Sequence, residues 1–323
     1  MLSSRKISAS LQGFRSSALY NDRKSKVFNS AKGFLLGLFR AVIIIGISYV
    51  ILAPVIGIIS NSFFSTQDSI NPMVFTIPIS PTLDRYAMAI KYMDYLPILG
   101  RMLLYTCGVT LLQLLICSMA GYGFARYNFP LKKLWFACIV VMIVVPLQTI
   151  QFPLYMTFRY FGISSHVTNL HKTAWPTFIL TAFGCGLKSG LYIYIFTQFF
   201  RGLPKEIEEA ALVDGANSWY TYFRIMMPNA SPAIITVAVF SIVWQYNDAF
   251  FANTFNMPST LLITRKLDTL INVIANAERI NSLRELQLYF DAGVVLVLIP
   301  VVAIYIILQR RFIEGVERSG IVG

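Results

Sequence analysis

The sequence predicts an all-α integral membrane protein, with six transmembrane helices and a cytoplasmic helix-turn-helix loop between helices 4 and 5. Three observations carry that prediction. The 323 residues are 56% hydrophobic and only 13% charged, with a mean hydropathy of +0.63, whereas soluble domains carry about 25% charged residues. Six charge-poor runs can cross about 30 Å of hydrocarbon, which takes roughly 20 helical residues. The Lys and Arg residues also alternate in density between the segments joining those runs.

The spans fall at about 41–60, 102–123, 134–157, 175–200, 232–251 and 292–309, and only Lys188 interrupts the fourth. Pro54, Pro146, Pro153 and Pro300 lie inside apolar runs, where they kink or unwind helices that neighbouring helices re-satisfy. Six spans place both termini on one side. Segments 1–40, 126–133, 201–231 and 310–323 carry eight, three, three and three Lys and Arg, against nine in the longer alternate segments. The positive-inside rule makes the first set cytoplasmic. Residues 1–33 read as a basic cytoplasmic tail without fixed structure, and 34–323 as the membrane domain. The apolar run after the tail is too long for a signal peptide and lacks a convincing cleavage site. Within 252–290, Leu267, Leu270, Ile271 and Ile274 recur at helical spacing, followed by Leu283, Leu286 and Leu288. One or two amphipathic surface helices are expected there.

The net charge of +12 is spread around the apolar runs instead of forming an aromatic-interleaved patch, which argues against nucleic acid. Cys107, Cys117, Cys138 and Cys185 fall in apolar runs without CxxC spacing and read as small buried hydrophobes. His166 and His171 are five apart, not the i,i+4 of a metal pair on one helical face. No catalytic cluster, cofactor site or metal site is expected. A secondary transporter needs intramembrane charged relays, and only Lys188 qualifies.

The hydrophilic stretch 204–228, PKEIEEAALVDGANSWYTYFRIMMP, lies between two apolar runs on the cytoplasmic side. Pro204 suits a first helical position, and Glu206, Glu208 and Glu209 meet the positive end of the helix dipole. Ile207, Ala210, Ala211 and Asp214 share one face, the small Ala pair allowing close approach. Asp214-Gly215 is a turn signal, and a side chain at position 215 is expected to strain the backbone and crowd the two short helices. Asn217 or Ser218 can cap the second helix. Trp219, Tyr222, Phe223, Met226 and Met227 give it an apolar face, and Pro228 and Pro232 stop it.

Glu209-Ala210-Ala211, three residues, Gly215, nine residues, then Ile225 through Pro228 resembles the EAA loop of ABC importer permeases, E-A-A-x3-G-x9-I-x-L-P. Met227 stands where Leu is usual, a mild change of shape. GLYIYIFTQFFRGLPKEIEEAALVDGA, PNASPAIITVAVFSIVWQYNDAFF and LQRRFIEGVERSGIVG look like carbohydrate permeases of the maltose-transporter, MalG-like type, over about 34–323 and best over 190–251. The resemblance implies a multi-pass subunit of the bacterial cytoplasmic membrane, paired with a second, MalF-like permease. It also implies two ATP-binding subunits below and an extracytoplasmic solute-binding protein above. Glu209, Ala210, Ala211, Asp214, Gly215, Ile225 and Pro228 would then couple the permease to its ATPase. No Walker A loop occurs in the chain, so ATP and magnesium are expected in the partner ATPase.

Trp244, Asn247, Asp248 and Phe251 fall at i, i+3, i+4 and i+7 on the fifth span. Aromatic rings beside amide and carboxylate groups suit sugars, although an interfacial aromatic belt gives the same composition. Lys188 is costly inside a span and so faces a polar cavity or a partner. It carries two readings: a transport-path residue, or a donor to carbonyls freed near Gly184, Gly186 and Gly190.

Overall fold

The computed structural model describes residues 3–163 and 166–320, with side chains described for 33–163, 166–307 and 309. The chain divides after Ser60 into two units. The first is essentially one helix, α1 (Ser3–Ser62), apolar and long enough to cross a membrane from Gly33 on. The basic tail that composition reads as irregular is helical from Ser3. No proline precedes Pro54 to prevent it.

The second unit begins with short α2 (Thr66–Ile70), then α3 (Asp84–Met93) and the 32-residue α4 (Tyr95–Arg126). α5 (Lys132–Val144) leads through a 3-10 turn at Leu147–Ile150 into α6 (Gln151–Arg159). β1 (Phe161–Ile163) and β2 (His166–Thr168) pair antiparallel, Gly162 opposite Val167. The histidine segment that the sequence reads as a plain loop is thus partly a small hairpin. α7 (Trp175–Ala182), α8 (Ser189–Gly202) and α9 (Glu206–Val213) follow. α10 (Ser218–Tyr220), a π-helical turn at Thr221–Met226 and α11 (Met227–Asn229) make one continuous limb. α12 (Ser231–Tyr246), α13 (Phe250–Thr254), α14 (Ile263–Glu278) and α15 (Leu283–Gly320) complete the chain.

Among the described residues, three helices cross a membrane by length and apolarity: Gly33–Ser62, Tyr95–Arg126 and Leu283–Ile307. Two bent pairs raise the number to five. The third expected span, 134–157, is not straight: α5 and the following helix meet at 102°. Pro146 causes this by disfavouring helical geometry at Val145, which sits extended at φ −71°, ψ 123°. The fourth, 175–200, is two helices, broken where Gly184 (φ +71°) and Lys188 (φ +60°) turn left-handed. The fifth, 232–251, ends at Tyr246, and α13 restarts separately. The sixth begins at Leu283, earlier than expected, because Leu283, Leu286 and Leu288 open α15 and do not form a helix of their own. α14 is amphipathic, with Ile263, Leu270 and Ile274 buried. Only Cys117 is buried; Cys107, Cys138 and Cys185 are exposed, against the expectation for small hydrophobes in apolar runs.

Two large apolar clusters, and a small one of Phe64, Val74 and Leu288, hold the second unit. One gathers Met93, Met102, Tyr105, Tyr246, Phe251 and Phe255 around α3, α4, α13 and α14. The other packs Cys117, Tyr192, Phe196, Phe200, Tyr222 and Met226 between α4, α8 and the 218–229 limb. α4 and α8 are in close contact at Gly121, where a Cβ would stand 2.5 Å from Phe196 Cβ and 3.0 Å from Thr197 N. Glycine is required there by proximity alone.

Candidate functional site

The break between α7 and α8 is built to expose backbone without leaving it unbonded. Gly184 N donates to Thr181 O at 3.0 Å, Cys185 N to Leu180 O at 2.8 Å and Ser189 N to Gly186 O at 3.0 Å. Leu187 O, freed by the turn, accepts from Gln113 Nε2 of α4 at 2.7 Å. The same amide nitrogen lies 3.2 Å from Ser189 Oγ, and Gln113 Oε1 accepts from Ser241 Oγ of α12 at 2.6 Å. Gln113 is fully buried and so ties three helices together at the break. Sequence reasoning missed it. Its signal was a lone amide within the apolar run 111–117, where interhelical hydrogen bonding is the usual reason for such a residue.

Beside the break lies a cavity of about 860 Å³. Its walls come from α5, the 102° bend, the break, the start of α8, and the end of α12 with the turn into α13. Gln148, Gln151, Lys188, Asn247, Asp248 and Asn253 give it polar groups, and Trp244 an aromatic one. The structure therefore brings Lys188, Trp244, Asn247 and Asp248 to one cavity. The Lys188 ammonium sits 4.6 Å from the Trp244 ring centroid, a cation–π distance. The left-handed backbone at Lys188 aims it, since that residue ends the turn and caps α8. Asn247 ends α12, donating from Nδ2 to Val243 O at 2.9 Å. Asp248 Oδ1 accepts from Phe250 N at 2.9 Å and Phe251 N at 3.1 Å, capping α13, while Oδ2 is buried without a hydrogen-bond partner among the described residues. Phe251 touches Asp248 only through its backbone N–H, for the helix ends before it and its ring lies in the core, outside the cavity lining.

The second feature is the hairpin of α9 and the 218–229 limb. Gly215 turns at φ +83°, and Asn217 Oδ1 caps the second limb by accepting from Tyr220 N at 2.8 Å. The limb widens to π geometry just before Pro228, whose missing N–H could not serve the carbonyl four residues back. Pro228 does not stop it; the turn comes at Ala230, and α12 leaves at 77°. The expected faces divide. Ala211, Tyr222 and Met226 are buried against the bundle, whereas Glu209, Ala210, Asp214, Trp219 and Phe223 are exposed, and Ile225 is half-buried. Leu212 and Val213 are 53% and 87% exposed, and the Trp219 and Phe223 rings stack at 6.1 Å. The result is an apolar and acidic face outside the bundle.

A largely apolar cavity with a few polar groups, set at a helix break inside a membrane bundle, is the arrangement of a transport subunit. Residues 113–318 match the model of the binding-protein-dependent transport system inner membrane component, and the chain belongs to that family. It is a multi-pass membrane protein and a permease subunit of an ABC importer, not an enzyme. Among relatives, it is 30% identical to the melibiose/raffinose/stachyose import permease MelC of Bacillus subtilis over 66% of this chain and 71% of that protein. It is 25% identical to the arabinooligosaccharides transport system permease AraQ of Halalkalibacterium halodurans over 86% and 93%. In fold it resembles a chain from a bacterial ABC transporter involved in import of the acidic polysaccharide alginate, with a TM-score of 0.71 at 19% identity over 86% and 96% of the two chains. That likeness shows the fold alone.

Proposed function

We propose that this chain carries a sugar or oligosaccharide across the bacterial cytoplasmic membrane by alternating access, driven by separate ATPase subunits that dock on the 204–228 hairpin. The observation that carries this reading is the hairpin's exposed face. Glu209, Leu212, Val213, Trp219 and Phe223 project from it uncovered, and an exposed apolar patch of this kind marks an interaction site. The positive-inside reading of the sequence, with six crossings and both termini in the cytoplasm, supports that face pointing toward the ATPases. In the proposed assembly a second, MalF-like permease closes the cavity, a solute-binding protein delivers substrate from outside, and ATP and magnesium belong to the ATPases. Names of relatives such as MelC and AraQ support a saccharide. So does the lining: Trp244 offers a stacking face, and Asp248 Oδ2 lacks the donor that a sugar hydroxyl would supply.

The test is to purify the chain with the products of neighbouring genes and measure ATP-dependent sugar uptake in proteoliposomes. An ATPase should co-purify. A defined nucleotide site on the isolated chain would refute the division of labour. Glu209→Ala should lower uptake and co-purified ATPase together while membrane insertion is unchanged. Gly215→Val should do the same more mildly. A Cβ there meets nothing within 4 Å, so the crowding expected from sequence does not arise and only a backbone strain of about 1 kcal/mol remains. Full uptake by both variants would remove the hairpin from the mechanism. Lys188→Met keeps the apolar stem and removes the cation–π contact, worth about 0.5–1 kcal/mol or more when desolvated. Uptake should change several-fold at unchanged abundance. Unaltered uptake would leave Lys188 outside the path.

A further inference from the structure

Glu208 and Glu209 are neighbours in sequence and differ in environment. Glu209 is exposed, whereas Glu208 Oε2 pairs with Arg126 Nε at 3.2 Å, the two side chains keeping only 17% and 6% of their surface. The other oxygen of Glu208 accepts from the Tyr122 hydroxyl. Arg126 Nη2 also donates to Leu203 O at 2.9 Å, so it holds the lead-in to α9 as well as the helix itself. One turn back along α4, the Tyr122 ring lies 5.2 Å from that of Tyr222. A further turn back, Ser118 Oγ is 2.7 Å from the Tyr222 hydroxyl. Ser118, Tyr122 and Arg126 form an i, i+4, i+8 stripe, and this one stripe grips both limbs of the hairpin. Farther along the same helix, Gln113 holds Leu187 O at the break beside the cavity. From Gln113 to Arg126 is about 20 Å of helix, without interruption.

We propose, on the reading that the hairpin docks an ATPase, that Glu208 is a positioning residue: it clamps the docking helix to α4, and α4 carries the hairpin's movement to the break that lines the cavity. Parting a largely buried ion pair, each member of which is hydrogen-bonded elsewhere, to Tyr122 and to Leu203 O, strands a charge. A displacement of α9 therefore takes the end of α4 with it. α4 has no proline or glycine break between the two grips that could absorb the motion, since Gly121 and Gly123 both lie in regular helix. Gln113 then passes the shift to Leu187, which lines the cavity, and to Ser241 on α12, the helix that carries Trp244 into it. Glu209, facing outward, touches the partner; Glu208, facing inward, transmits.

Cys185 is exposed and lines the cavity, so its alkylation by N-ethylmaleimide reports on cavity access without knowledge of the substrate. The rate is read by mass spectrometry in the full assembled complex, nucleotide-free and trapped with ATP and vanadate. In the unmodified complex trapping should change the rate about five-fold or more, the range of ordinary inter-site coupling. Glu208→Gln should reduce that response to less than about two-fold, with the ATPase still co-purifying. The exchanged pair Glu208→Arg with Arg126→Glu should recover it, which a merely stabilising bond to some other group would not. If Glu208→Gln prevents assembly, Tyr122→Phe removes one hydroxyl and should give an intermediate response. An unmodified response in Glu208→Gln, or in Tyr122→Phe where that variant is used, overturns the proposal. So does loss of the ATPase from an assembled Glu208→Gln complex, which would make Glu208 a docking contact. Glu209→Ala run in parallel separates the two levels. If it retains its ATPase and its response, the docking reading fails; if it loses them while Glu208→Gln does not, only the clamp fails.

Discussion

Gly121→Val is expected to prevent stable assembly of the bundle, at a cost of about 3 kcal/mol, the upper end for forcing atoms into a packed contact. Even the Cβ alone would lie 2.5 Å from Phe196 Cβ and 3.0 Å from Thr197 N. Neither is the tip of a flexible side chain, so α8 as a whole has to move. Phe196 is fully buried and belongs to the cluster that seats Tyr222 and Met226, so the displacement spreads to the base of the hairpin. The internal control is Gly123→Val, two residues on, where a Cβ meets nothing within 4 Å. Membrane abundance and thermal unfolding in detergent should fall sharply for position 121 and hardly at all for position 123. Equal behaviour of the two variants would mean that α4 and α8 are not in this contact.

Gln113→Leu is expected to cost about 1–3 kcal/mol, because it removes one side chain from three buried bonds and strands the Leu187 carbonyl. Leu187 O loses its donor at 2.7 Å, whereas Ser241 Oγ, 2.6 Å from Gln113 Oε1, falls back on Thr110 Oγ1 at 2.9 Å. Adding Ser241→Ala should cost less than the sum of the two single changes, since a pair removed together leaves fewer stranded groups. Thermal unfolding of the four proteins measures this directly. A Gln113→Leu variant as stable as the parent would show that the break is held by its own backbone bonds.

What the sequence disclosed follows from where its signals are local. Apolar runs and the basic residues between them identify a membrane bundle, because each is a property of a contiguous stretch. Asp214-Gly215 and Asn217 announce a turn and a cap for the same reason. The bends were only half legible: Pro146 was visible as a kink, but not that the helix would turn through 102°. Gly184, Gly186 and Gly190 flank Lys188 and mark a weak point, but glycine spacing does not say that one helix ends and another restarts there. The partnership of Arg126, Tyr122 and Glu208 joins residues more than 80 positions apart, and no pattern along the chain encodes it. The division of the hairpin's apolar residues into buried Tyr222 and exposed Trp219 was equally hidden, because helical spacing gives a face but not which neighbour covers it.

The break at residues 183–188 also bears on how the protein is made. α7 has 8 residues and α8 has 14, about 12 and 21 Å of helix, so neither half crosses a bilayer unaided. Lipid offers no hydrogen bonds to the carbonyl exposed between them. The donor that satisfies it, Gln113, belongs to a helix synthesised earlier. Membrane insertion of this segment is consequently a docking event as much as a partitioning one: α4 must already be in place, and held close to the site of synthesis, when residues 175–202 emerge.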